Sequence, residues 1–144
     1  MIASTFFDRV HQWMPLLSRR RFYQHLSNPF AGRSTDFNLV LLAMKLVESE
    51  YTSANSRLYD ALRNSLTDVA SRGHLTLYTL QASILVAWFE YGHAIYPSAY
   101  FSVGFSARLA TVLGVEKSID VENGPWADIE EARRCWWSIL LLDR

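Results

Sequence analysis

Apolar residues recur along this chain with a helical period almost throughout. Over 5–14, Phe6, Val10 and Trp13 share one face, Ser4 is placed to cap and Pro15 to stop the helix. A short second helix follows Ser18 and runs to Leu26, before Asn28-Pro29 breaks the pattern. A third opens at Thr35 or Asp36 and sets Phe37, Val40, Leu41, Met44 and Val47 on one face. The fourth covers 54–72, with Leu58, Leu62, Leu66 and Val69 as its stripe and Arg57, Asp60, Arg63, Asn64 and Asp68 opposite; Gly73 stops it. The fifth covers 76–91, capped by Thr76, with Leu77, Leu80, Ile84 and Trp88 on one face and Gly92 after it. The sixth starts near Pro97, ends at Gly114 and aligns Phe101, Phe105, Leu109 and Val112. Gly104 in its middle weakens the helix, which predicts close packing against a neighbour there.

After a polar loop over 116–125, the last helix opens at Asp128, with Glu131 three residues on as a capping box. Its segment 135–142 reads Cys-Trp-Trp-Ser-Ile-Leu-Leu-Leu, apolar in nearly every direction, which predicts burial on most sides. No Gly, Asn or Pro follows it. The expectation is therefore the truncated front part of a larger helical domain; in the alternative, the preceding helices wrap this one completely. The fold class that follows is all-α, a multi-helix array of six to seven helices forming one domain over 1–144. No segment reads as a strand, and there is no internal repeat.

Composition narrows the classes of function. Half of the 144 residues are hydrophobic and 14% are aromatic, which excludes a disordered regulator. Cys135 is the single cysteine, so neither a disulfide scaffold nor a cysteine-based zinc site can be built. Fourteen basic and fourteen acidic residues cancel, which argues against a sequence-independent grip on nucleic acid. The longest uncharged runs, 73–89 and 91–107, carry too many polar or helix-breaking residues for a membrane span. Asp8 and Arg9 interrupt the stretch that a signal peptide would need apolar. The expected location is nuclear or cytoplasmic.

Four segments then carry a family resemblance. "EARRCWWSILLLDR", 131–144, resembles the motif of the fungal-specific transcription factor domain, or middle homology region, at Arg133, Arg134, Trp136, Trp137, Asp143 and Arg144. "FFDRVHQWMPLLSRRRF", 6–22, is similar to the opening pattern of that family at Phe7, Val10, His11, Trp13, Pro15, Leu17, Arg19 and Phe22. "LTLYTLQASILVAWFEYGHA", 75–94, resembles its Leu-Gln-Ala-rich helix, and the stretch from Arg108-Leu109-Ala110 to Leu113-Gly114 its Arg-Leu-Ala helix. Departures are Arg20 for a common proline, Ala132 for an arginine and Leu140 for an aromatic. Together the four motifs span essentially the whole chain in the family's order, and the family domain normally continues with further helices.

The resemblance implies a regulatory domain of a zinc-cluster-type transcription factor, nuclear and without catalytic activity. Zinc is expected only in a separate six-cysteine DNA-binding module. Implied partners are proteins (a second copy or other regulators), with a small-molecule effector as a further class; direct nucleic-acid or membrane binding by this chain is not. The motif residues His11, Trp13, Pro15, Arg19, Phe22, Arg133, Arg134, Trp136, Trp137, Asp143 and Arg144 are implied to be structural. Two alternatives stay open. One is a truncated partner that titrates a full-length regulator; the other is a non-regulatory protein of a biosynthetic pathway.

Other constellations read as structure. Asp8 and His11 lie at i, i+3, but with only His25 close in sequence they lack the three or four ligands of a metal site. Arg19, Arg20 and Arg21 fan around a helix rather than line a groove; five arginines against one aspartate over 1–33 could instead face the acidic excess of 116–144. Trp136, Trp137 and Cys135 read as core residues. No catalytic triad order, phosphate loop or paired carboxylates is present.

Overall fold

The computed structural model describes residues 19–27, 35–48, 53–73, 75–115 and 126–142. They form six helices: α1 (Arg19–Ser27), α2 (Thr35–Glu48), α3 (Ser53–Ser71), α4 (Leu77–Gly92), α5 (Ser98–Leu113) and α6 (Trp126–Leu142). The expected all-α class holds, with no strand among the described residues. The helix expected over 5–14 lies outside them.

Local signals set most boundaries. The hydroxyl of Thr76 accepts a hydrogen bond from the Thr79 amide and caps α4. It also donates to Asp36 Oδ2 at 2.6 Å, tying the start of α4 to the start of α2. Gly73 and Gly114 follow α3 and α5 at φ 76° and 72°, a conformation in which a side chain would be strained.

The core is organised around α4. Every residue from Thr79 to Ala87 is buried, so the helix is covered all round by its neighbours. It packs most extensively on α2 and α5, then on α6 and α3. From α2 come Phe37, Val40 and Met44, as expected, joined by Leu39, Ala43 and Leu46. The predicted stripe of α3 is confirmed at Leu62, Leu66 and Val69, with Tyr59 added. Phe22 of α1 is buried beside Phe37, ring centroids 5.2 Å apart, and Phe37 meets Tyr78 at 5.4 Å.

Four sequence expectations are corrected. The central helix is α4, and α6 is one-sided: Ala132, Cys135, Ile139 and Leu142 are buried, while Trp137 is 58% and Leu141 61% exposed. The described helices that precede α6 therefore do not wrap it completely. The helix begins at Trp126, ahead of Asp128, and the carboxylate of Glu131 accepts a buried hydrogen bond from Gln81 Nε2 at 3.2 Å. On α5 the packed face is Ala99, Val103, Ser106, Leu109 and Ala110, whereas Phe101 is 65% and Val112 70% exposed. Small side chains let α5 approach α4 closely: Ser83 and Ser106 share a hydrogen bond at 2.9 Å. Gly104 lies on the opposite, open side, where an added Cβ would meet nothing within 4 Å.

Candidate functional site

That turn of α5 leaves a groove. α3 and α5 flank α4 without packing extensively on each other. Between them lies a cavity of about 600 Å³. Arg63, Leu66 and Thr67 of α3 share one face at i, i+3, i+4 and form one wall. Phe101, Gly104, Phe105 and Arg108 of α5 form the other, with Tyr100 and Ser102 beside them. Ser83 and Val86 of α4 make the floor.

The α3 wall rests on a buried polar cluster. Arg63 stacks over the Tyr59 ring, its guanidinium carbon 5.5 Å from the centroid. The Tyr59 hydroxyl faces Glu90, a fully buried carboxylate that accepts a short hydrogen bond from Ser102. Burial pushes the Tyr59 hydroxyl well above the ordinary tyrosine range, and the neighbouring Glu90 charge adds to this; Arg63 pulls more weakly the other way. Arg63 thus rests against a buried ring.

The serine and threonine hydroxyl protons around the groove are engaged within the protein, while the exposed Tyr100 hydroxyl is not, among the described residues. Ser83 donates to the Leu80 carbonyl at 2.8 Å, Thr67 to the Arg63 carbonyl at 3.0 Å, and Ser102 to Glu90. Among the described residues, no imidazole, thiol or carboxylate lines the groove. Its lining offers arginine and aromatic faces.

The predicted motif residues that lie among the described residues do not assemble into one site. Phe22 is a core residue of α1. Arg133 and Arg134 are ion-paired with Glu130 at 3.7 Å and 3.2 Å along one helix. Trp136 packs against the core half-buried, and Trp137 points outward. Arg19 opens α1, but its side chain, like the whole of His11, Trp13, Pro15, Asp143 and Arg144, lies outside the described residues. Burial, reinforced by the Glu131 charge, pushes the Cys135 thiol far up, so it is not an activated nucleophile. No group of three His, Cys, Asp or Glu among the described residues could hold a metal ion, and no helix there is long and apolar enough to cross a membrane. A six-cysteine zinc cluster does not fit this chain, whose single cysteine is buried.

The sequence pattern placed Arg108 in a family motif without a binding role and did not single out Tyr100, Ser102, Tyr59 or Glu90. Glu90 carried a signal: it is the one charged residue between Gly73 and Ala107. A lone acid in so apolar a stretch is buried with partners or exposed on a break.

Comparison with known proteins agrees with the motifs. The sequence model of one family, the Fungal specific transcription factor domain, matches residues 3–144. The chain is 34% identical over 136 residues to transcription factor BOA15 of Botryotinia fuckeliana (strain B05.10), covering 90% of this chain and 76% of that protein. It is 29% identical over 159 residues to the pigment biosynthesis transcriptional activator pigB of Monascus ruber, covering 96% of this chain and 28% of that protein. It is 26% identical over 155 residues to transcription factor tazR of Aspergillus terreus (strain NIH 2624 / FGSC A1156), covering 99% of this chain and 24% of that protein. The chain thus spans about three quarters of the first relative and about a quarter of the other two. No solved structure gives a significant match. With the family matched over nearly every residue and its arginine–tryptophan motif carried on α6, the chain belongs to the Fungal specific transcription factor domain family, a family of transcription regulators.

Proposed function

We propose that this chain is a regulatory module that works in the nucleus, without catalysis, by contacting another regulatory protein through the outer face of α6. The observation that supports this is the pair Trp137 and Leu141, one helical turn apart and both more than half exposed on the helix that carries the family motif. Large apolar anchors at i, i+4 on an exposed helix face suit insertion into an apolar groove of a partner. A Trp side chain contributes about 150–250 Å² of contact area. DNA reading falls to a separate module, since zero net charge provides no general attraction to phosphate.

One relative is named for pigment biosynthesis, so biosynthetic transcripts are the first to measure. The test is gene deletion with transcript profiling, followed by complementation with the wild-type chain or with Trp137→Glu/Leu141→Glu. Deletion lowers a defined set of transcripts, the wild type restores them, and the folded double variant does not. A rise of the same transcripts on deletion would identify a titrating partner instead. No change in any transcript refutes the regulatory reading, and full restoration by the double variant refutes the α6 contact.

A further inference from the structure

The groove between α3 and α5 has no part in that contact, and its chemistry is distinct. We propose that it binds a small amphipathic acid, a molecule with an apolar ring-containing body and one anionic group.

Three observations converge on that class of ligand. The first is size: about 600 Å³ falls within the range of small-molecule sites, roughly 300–1,000 Å³, and suits a body of two or three rings. The second is the lining. Leu66, Val86 and Phe105 supply apolar surface, and Tyr100 and Phe101 are exposed aromatic rings at the groove. An aromatic pair left in water beside an apolar floor is complementary to a flat apolar body.

The third is the placement of donors. Arg63 stands on one wall and Arg108 on the other. Neither makes an ion pair among the described residues, whereas Arg72, Arg133 and Arg134 each do. The hydroxyl protons of Ser83, Thr67 and Ser102 are already donated inside the protein. What remains to offer is the Tyr100 hydroxyl and guanidinium N–H, the latter always charged and suited to a planar anion. With no carboxylate in the lining to neutralise them, two cations flank an apolar trough, and an acceptor-bearing anion is the matching ligand. Arg63 is preorganised by its stacking on the buried Tyr59 ring, which lowers the cost of ordering it on binding.

Two related dyes test this on the full 144-residue chain. Anilinonaphthalene sulfonate carries the anion; N-phenylnaphthylamine has a closely similar apolar body without it. Saturable fluorescence enhancement is expected for both, tighter for the sulfonate. Arg63→Ala/Arg108→Ala is expected to weaken the sulfonate by about tenfold or more while changing the neutral dye by less than about twofold. Gly104→Leu fills the groove from an open helix position and abolishes saturable binding of both dyes. It also keeps the test decisive if the double arginine variant fails to fold, as judged by thermal unfolding. Trp137→Glu/Leu141→Glu leaves groove binding intact.

Equal affinity for both dyes, insensitivity to Gly104→Leu, or loss of binding only in the α6 variant would overturn the proposal. So would displacement of the sulfonate by a glutamate-rich peptide but not by naphthoate, which would make the groove a peptide site. Dye binding is read without transcription, so this proposal and the regulatory reading can fail separately.

Discussion

Replacing Gly104 by alanine separates two views of α5 that the amino-acid pattern alone does not. A glycine in mid-helix is expected where helices touch, and in that case a methyl group would force them apart at a cost of about 1–3 kcal/mol. In the structure the position is exposed, its φ is not in the left-handed region, and a Cβ would meet nothing within 4 Å. Only the propensity difference is left, about 0.8–1 kcal/mol in favour of alanine in a helix interior, part of it through a less flexible unfolded chain. Gly104→Ala should therefore stabilise the protein by about 0.5–1 kcal/mol. For a chain of this size that raises Tm by about 2–4 °C. Urea unfolding followed by circular dichroism measures it, and the midpoint should rise at constant m-value. A lower midpoint would place Gly104 in a helix contact and refute both the orientation of α5 and the groove.

Further outcomes follow from the same packing. Ile139→Ala, on the buried side of α6, should cost about 2–5 kcal/mol, while Trp137→Ala should change stability by no more than about 0.5 kcal/mol; comparable losses in urea titrations would mean that α6 is enclosed on both sides. Thr76→Ala removes the cap of α4 and the link to Asp36 and should lower the free energy of unfolding by about 1 kcal/mol, with no change expected only if neither bond forms in solution. Stability should fall at alkaline pH. The unfolded chain releases the Cys135 proton above about 9 and the Tyr59 proton above about 10, whereas burial raises both in the folded state, which keeps its protons. Below those values the two states bind equally; above them the unfolded state gains about 1.4 kcal/mol per pH unit for each such group. A flat urea midpoint from pH 8 to 11 would contradict the burial of both groups.

Much of the architecture was legible because its determinants are local. Thr76 caps α4 through its own amide neighbourhood, and Gly73 and Gly114 end α3 and α5 because few other residues accept their φ. The stripe of α3 could be read from its spacing because that helix has a clearly polar opposite face. The motif residues placed the chain in its family, although the described ones divide between core and surface instead of meeting at a site.

The groove was not legible in this way. Hydropathy favours the face of α5 with the largest side chains, but helices approach most closely through the smallest, so Ala99, Ser106 and Ala110 went inward and Phe101 outward. Arg63 and Arg108 are far apart in the chain and become neighbours only because α4 separates their helices by one width. Centrality likewise could not be read from α4 or α6 alone. Both carry apolar groups on most sides, and what distinguishes them is how many neighbours pack around each. Helix identity, limits and family are properties of short stretches of sequence, set by backbone conformation and side-chain period. Which face is buried, and which cations stand unneutralised beside aromatic rings, depends on contacts between segments distant in the chain, where shape and close packing outweigh the hydrophobicity of any single residue.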